Sequence, residues 1–233
     1  LLSVQRSLAT LHSGFGRIAS YLDPGLVVIV GPEAVLHGYV QAQIRALQAL
    51  IPGLCPLLST DQSVRYIDEV DVDISISAQP LQHANIFEQV LLTDEWVVLG
   101  APEVVKVLAP LAQSEHPRHA GLLCLEESLT NEVTASLFKQ PLASFKKLAI
   151  YDDQRLLLDA TLRGHGIACM PQVLAREEIR QGHLQILDAY PRAPATTWWI
   201  SRAANSLRAS IVLPVFDYLV ANIARSGERH QIS

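Results

Sequence analysis

The chain has 233 residues, 49% of them apolar, with mean hydropathy +0.23, enough for one large core or two smaller ones. Lys+Arg 18 against Asp+Glu 23 gives net charge -5 and a pI ≈ 5.9, which does not suit a surface that wraps a phosphate backbone. There is no apolar run of about 18 residues to span a membrane and no signal-peptide zoning, so the chain reads as cytoplasmic, its start at Leu1 lying downstream of a natural one.

Val4, Leu8, Leu11, Phe15, Ile18 and Leu22 recur at alternating steps of four and three, the seam of a helix that pairs with another helix. An ordinary amphipathic first helix is the alternative. Asp23-Pro24-Gly25 breaks the pattern, and Leu26–Val30 reads as a strand buried on both faces, the mark of a parallel sheet. After Gly31-Pro32, a helix is expected over 33–50, because proline is favoured just inside a helix start. A strand near 54–58 and a turn or short helix over 61–66 lead to 70–77, where Val70, Val72, Ile74 and Ile76 alternate with Asp71, Asp73, Ser75 and Ser77 as in a strand at a sheet edge or end. Asp71 and Asp73 are not read as an acid–base pair, since no nucleophile, phosphate cradle or metal partner accompanies them.

Residues 89–99 form a predicted long strand, and Thr196 to Ser201 another, bracketing four further strands at 122–125, 148–150, 167–170 and 184–187. These alternate with helices, so the class is α/β. A chain that crosses to a second lobe on one long strand and returns on the other gives domains of 1–23 (linker helix), 24–97 with 200–233 (lobe one), and 98–199 (lobe two). Leu207, Ile211, Val215, Phe216, Leu219 and Ile223 mark a closing helix, with Pro214 as a kink or late start. The tail 225–233 is polar and expected to fray.

Cys55, Cys124 and Cys169 are far apart, each with an apolar neighbour, and read as small buried hydrophobes. His116-Pro-Arg-His119 lacks an acidic or Cys partner and reads as a solvated loop. Neither a metal nor a cofactor is expected.

The segment 152–187, DDQRLLLDATLRGHGIACMPQVLAREEIRQGHLQIL, carries the most specific pattern. Acidic residues cap a helix that stops at Gly164, a buried strand ends at Pro171, and a helix over 172–180 ends at Gly182 before a last short strand. Gly164-His-Gly166 follows a helix rather than a strand, so it is not a dinucleotide fingerprint. This order, with the Val-Asp-Val-Asp-Ile-Ser-Ile stretch, resembles the effector domain of LysR-type transcriptional regulators. The resemblance covers nearly the whole chain, but no DNA-binding module is included. It implies a two-lobed periplasmic-binding-protein-like (type 2) fold, with two Rossmann-like lobes joined by two crossing strands and preceded by a linker helix. It also implies a homodimer or tetramer, through Val4, Leu8, Leu11, Phe15, Ile18 and Leu22 and with the helices at 33–50 and 172–180 as further candidates. DNA would be bound only through the module outside this chain.

In such regulators a small-molecule effector sits between the lobes. Carried over by position, the pocket would include Pro32, Glu33, Thr60, Ser77, Ala78, Trp96, Ser128, Thr130, Asn131, Gly166 and Ile167. Many relatives have Ser or Thr near Glu33, suited to a small anion, whereas Glu33 is itself a negative charge at a helix start. The expectation is therefore a zwitterionic, cation-bearing or neutral effector, or an exposed Glu33, rather than a simple anion. A periplasmic solute-binding protein is the alternative of another class, opposed by the heptad seam and the cysteine usage. An enzyme ranks third, since no Ser, His and Asp arrangement, phosphate loop or metal spacing is present.

Overall fold

The computed structural model describes residues 24–60, 72–206 and 208–228. The heptad residues, Asp71 and Leu207 lie outside them. In chain order the elements are β1 (Leu26–Val30), α1 (Glu33–Val35), a π-helical segment (Leu36–Val40), α2 (Gln41–Leu50), β2 (Cys55–Ser59), β3 (Ile74–Ser77), β4 (Ile86–Asp94), β5 (Trp96–Gly100), α3 (Pro102–Leu108) and α4 (His116–His119). They continue with β6 (Leu122–Leu125), α5 (Glu126–Thr130), α6 (Glu132–Lys139), β7 (Lys147–Tyr151), α7 (Gln154–Leu162), β8 (Ile167–Pro171), α8 (Arg176–Gln181), β9 (Gln185–Ile186), β10 (Thr196–Ala203) and α9 (Ala209–Glu228).

Two compact units emerge. Of the described residues, those up to Pro32, those within 43–91 and those from Trp199 onward form the first, while Glu33–Ala42 and Leu92–Trp198 form the second. The first unit's sheet has the order β2-β1-β3-β10-β4, with β1 parallel to β2 and β3 and β10 antiparallel to β3. All five residues of β1 are buried, as its unbroken apolar run requires of a strand covered on both faces. Leu26, Val28, Val30 and Val72 form one cluster, joined by Leu57. Asp73 is buried among them, accepting from the Val28 amide at 2.8 Å and from Arg208 Nη1 at 3.2 Å. It ties β1, β3 and the segment leading to α9 together, a structural part for a carboxylate that sequence offers as half of a pair.

The second unit's sheet has the order β7-β6-β8-β5-β9. Strands β6, β7 and β8 are parallel, and β5 runs against β8. Cys124 and Cys169 are buried on β6 and β8, with burial pushing the Cys169 thiol up to about 12. Cys55, at the edge strand β2, is exposed, contrary to the buried role expected for it. His116, expected in a solvated loop, is 1% exposed and shares a 2.8 Å hydrogen bond between Nδ1 and the Tyr190 hydroxyl.

Several element boundaries differ from expectation for identifiable reasons. The long strand predicted over 89–99 is two strands separated at Glu95, because β4 and β5 pair in different sheets. The helix predicted over 33–50 is interrupted by a π turn in which Gly38 meets the Val173 carbonyl; a Cβ there would lie 1.8 Å from that oxygen. The helix expected from 172 begins at Arg176, since the preceding turn places Val173, Leu174 and Ala175 in the core and the Asp94 carboxylate takes the Val173 amide at 2.8 Å. Pro214 lies inside α9, which rules out the late start and leaves the first of its two expected readings untouched.

Candidate functional site

Within the first unit, the parallel strands β1, β2 and β3 deliver their following residues to one sheet edge. Half-buried Pro32, exposed Thr60, half-buried Ser77 and exposed Ala78 all follow or end these strands. The Gly31 amide donates to the Ser59 carbonyl at 3.1 Å, fixing the first two turns side by side. Ser77 Oγ donates to the Gln79 carbonyl at 2.6 Å. Trp199, absent from the sequence expectation, stands directly opposite Ser77 on β10. Its signal was the Trp198-Trp199 pair on the returning strand, read only as strand material.

Within the second unit, β6 and β7 are parallel neighbours followed by α5 and, after Asp152-Asp153, by α7. Trp96 opens β5 opposite Pro171, the last residue of β8, and so reaches the same carboxyl edge. Ser128 is fully buried, with Oγ donating to the Leu125 carbonyl at 2.6 Å while Thr134 Oγ1 donates to the Ser128 carbonyl at 2.6 Å. Its hydroxyl is thereby spent on local structure. Exposed Thr130 donates to the Glu127 carbonyl at 3.2 Å, and Asn131 is exposed beside it. Gly166 and Ile167 lie at the opposite, amino-terminal edge. Ile167 pairs with Leu122 and is fully buried, and a Cβ on Gly166 would sit 2.6 Å from the Gly121 carbonyl oxygen.

Glu33 belongs to this unit too, and its carboxylate is the most informative group there. It accepts from the Gln154 amide at 3.3 Å and from Arg155 Nε at 2.7 Å. Asp153 caps α7, accepting from the Arg155 and Leu156 amides, and Arg155 Nη2 also donates to Asp153 at 2.9 Å. That hydrogen bond holds the Asp153 carboxyl below its ordinary range. Gln154 Nε2 donates to Glu127 at 3.0 Å. Two carboxylates thus take the free amides that begin α7, which satisfies both the orphan donors and the helix dipole. Glu127, Gln154 and Arg155 were not among the expected site residues; Glu33 and Gln154 are 121 positions apart, so spacing carries no signal for the contact. Among the described residues no group of His, Cys, Asp and Glu could hold a metal ion.

The family model for the LysR substrate binding domain matches residues 22–224. The chain belongs to this family. The LysR regulatory domain of CrgA from Neisseria meningitidis superposes with TM-score 0.62 at 17% identity, covering 85% of this chain and 98% of that one. The regulatory domain of AphB from Vibrio vulnificus gives 0.62 at 16%, covering 84% and 98%. The effector domain of AmpR from Pseudomonas aeruginosa gives 0.61 at 17%, covering 89% and 100%. No curated protein sequence matches the chain. Its fold is accordingly the two-lobed, type 2 periplasmic-binding-like fold of LysR effector domains.

Proposed function

We propose that this LysR domain senses a small-molecule effector and is the oligomerising part of a cytoplasmic transcriptional regulator rather than an enzyme. The family match over 22–224 carries the reading. Effector contacts would come from the strand-end residues of each unit: Pro32, Thr60, Ser77, Ala78 and Trp199 in one, and Glu33, Trp96, Thr130 and Asn131 in the other. Gly166 and Ile167 are left out because they occupy the other sheet edge. A ligand shifts a conformational equilibrium only by its difference in affinity for the two states. The effector would therefore favour one arrangement of the domain and, through self-association, reset the spacing of DNA-binding modules outside this chain. Among the described residues no helix is long and apolar enough to cross a membrane.

Thermal unfolding against amino acids, aromatic acids, sugar phosphates, nucleosides and cell-wall fragments tests the reading. A ligand at a hundred times its dissociation constant adds roughly 2.7 kcal/mol, which raises the midpoint visibly. The shift should shrink in Trp96→Ala or Thr130→Ala. Ser128→Ala is a poor probe, because it removes a buried structural hydrogen bond. A hit that survives every strand-end substitution would place binding elsewhere. Detectable turnover of a hit would instead support an enzyme.

A further inference from the structure

We propose that Glu33 is a specificity residue, a built-in anion that fills the place of a ligand carboxylate at the start of α7 and so bars effectors from anchoring there through an anionic group. The inference rests on the effector-sensing reading and adds the charge class of the ligand at this corner.

The observations converge on saturation. Glu33 engages both the Gln154 amide and Arg155 Nε, a donor pair suited to the two oxygens of a carboxylate. Its side chain is only 20% exposed, so the contact is partly shielded from water, whereas Arg155 is 62% exposed. The other charges around the corner oppose a second anion. Asp153 shares Arg155 with Glu33, so two carboxylates meet one guanidinium, and Glu127 accepts from the neighbouring Gln154 side chain. Gln154 Oε1, a buried oxygen with no hydrogen-bond partner, is again an acceptor. An incoming carboxylate meets like charge and acceptors, while its natural donors are already engaged. An effector would have to turn an uncharged or hydrogen-donating group toward this corner.

Removing the side chain converts the corner into a carboxylate site, since the Gln154 amide and Arg155 Nε lose their partner. The thermal midpoint of Glu33→Ala is expected to rise saturably with sodium acetate or formate, relative to sodium chloride at equal ionic strength. The wild-type chain is expected to bind acetate at least about tenfold more weakly, a difference of about 1.4 kcal/mol. The Gln154 amide resonance in a ¹⁵N spectrum should move with acetate in Glu33→Ala alone, and the double variant Glu33→Ala, Arg155→Ala should lose the response. If Glu33→Ala does not fold, Glu33→Ser is titrated in the same way. Equal acetate responses in wild type and variant would overturn the inference, as would no response in the variant or an undiminished one in the double variant. So would a wild-type effector whose carboxylate depends on Arg155. The acetate titration needs no effector, so its outcome is separable from a failed metabolite screen.

Discussion

Asp94 shows how one buried carboxylate can set a pH dependence. It ends β4 at 7% exposure and accepts from the Val173 amide. Burial pushes its carboxyl up to about 6, outweighing the opposing pull of the Val173 and Glu95 amides and of Arg176, while the Glu95 charge adds to the rise. A raised carboxyl pKa means that the folded chain holds the proton more tightly than the unfolded one. The stability this group contributes is therefore complete below its ordinary pKa of 3.8 and is lost as pH rises through about 6. The amount at stake is on the order of 3 kcal/mol. Asp94→Asn keeps an oxygen for Val173 without the charge, so urea unfolding should find it at least as stable as wild type at pH 8, with the advantage gone near pH 4. Asp94→Ala should be less stable than Asp94→Asn at both pH values by roughly 1–3 kcal/mol, because it leaves the Val173 amide unpaired. A wild-type stability curve flat between pH 4 and 6, matching that of Asp94→Asn, would contradict this account.

At the scale of elements, the π turn over Leu36–Val40 exists where helix meets turn. Gly38 is the only residue type that fits against the Val173 carbonyl, as an added Cβ would also lie 2.6 Å from the Val173 carbonyl carbon and 2.9 Å from Leu174 Cα. These are backbone atoms that cannot rotate away. Gly38→Ala should therefore destabilise by about 1–3 kcal/mol or more, read as a lowered urea midpoint with little change in slope. An unchanged midpoint would mean that the turn yields at low cost. The contrast with what the sequence showed is instructive. The β1 run, the Asp153 cap and the ends of α7 and α8 near Gly164 and Gly182 were legible, because each follows from local periodicity or backbone preference. The split at Glu95, the late start of α8 and the Glu33 contact were not. All three depend on partners far away in the chain: strands in two sheets, Asp94 meeting Val173, and Glu33 meeting Gln154. Of the positions carried over for the effector, Pro32, Thr60, Ser77 and Ala78 follow or end the parallel strands of one sheet, whereas Gly166 and Ile167 lie at the amino-terminal edge of the other, a difference that sheet register decides and local sequence does not.

For the whole molecule, the self-association proposed above has two candidate surfaces of different kinds. One is the heptad seam expected from the spacing of Val4, Leu8, Leu11, Phe15, Ile18 and Leu22, which lies outside the described residues. The other is the terminal strand β7, where Leu148 and Ile150 are 50% and 55% exposed, with Leu156 on α7 at 54%. An exposed strand edge with apolar side chains is itself prone to association. The seam is the stronger candidate for self-association, because its spacing repeats six apolar residues at heptad steps, whereas the β7 surface has three, with charged Lys147 and Asp159 close in sequence. Deleting residues 1–22 should weaken self-association while leaving a cooperative unfolding transition, since both sheets form from residues beyond the deletion. Ile150→Lys in the full chain should leave a dimer intact and reduce only higher assemblies. Sedimentation equilibrium of the two variants separates the surfaces: a deleted chain of unchanged mass would remove the seam from the account, and a monomeric Ile150→Lys would move the dimer contact to β7.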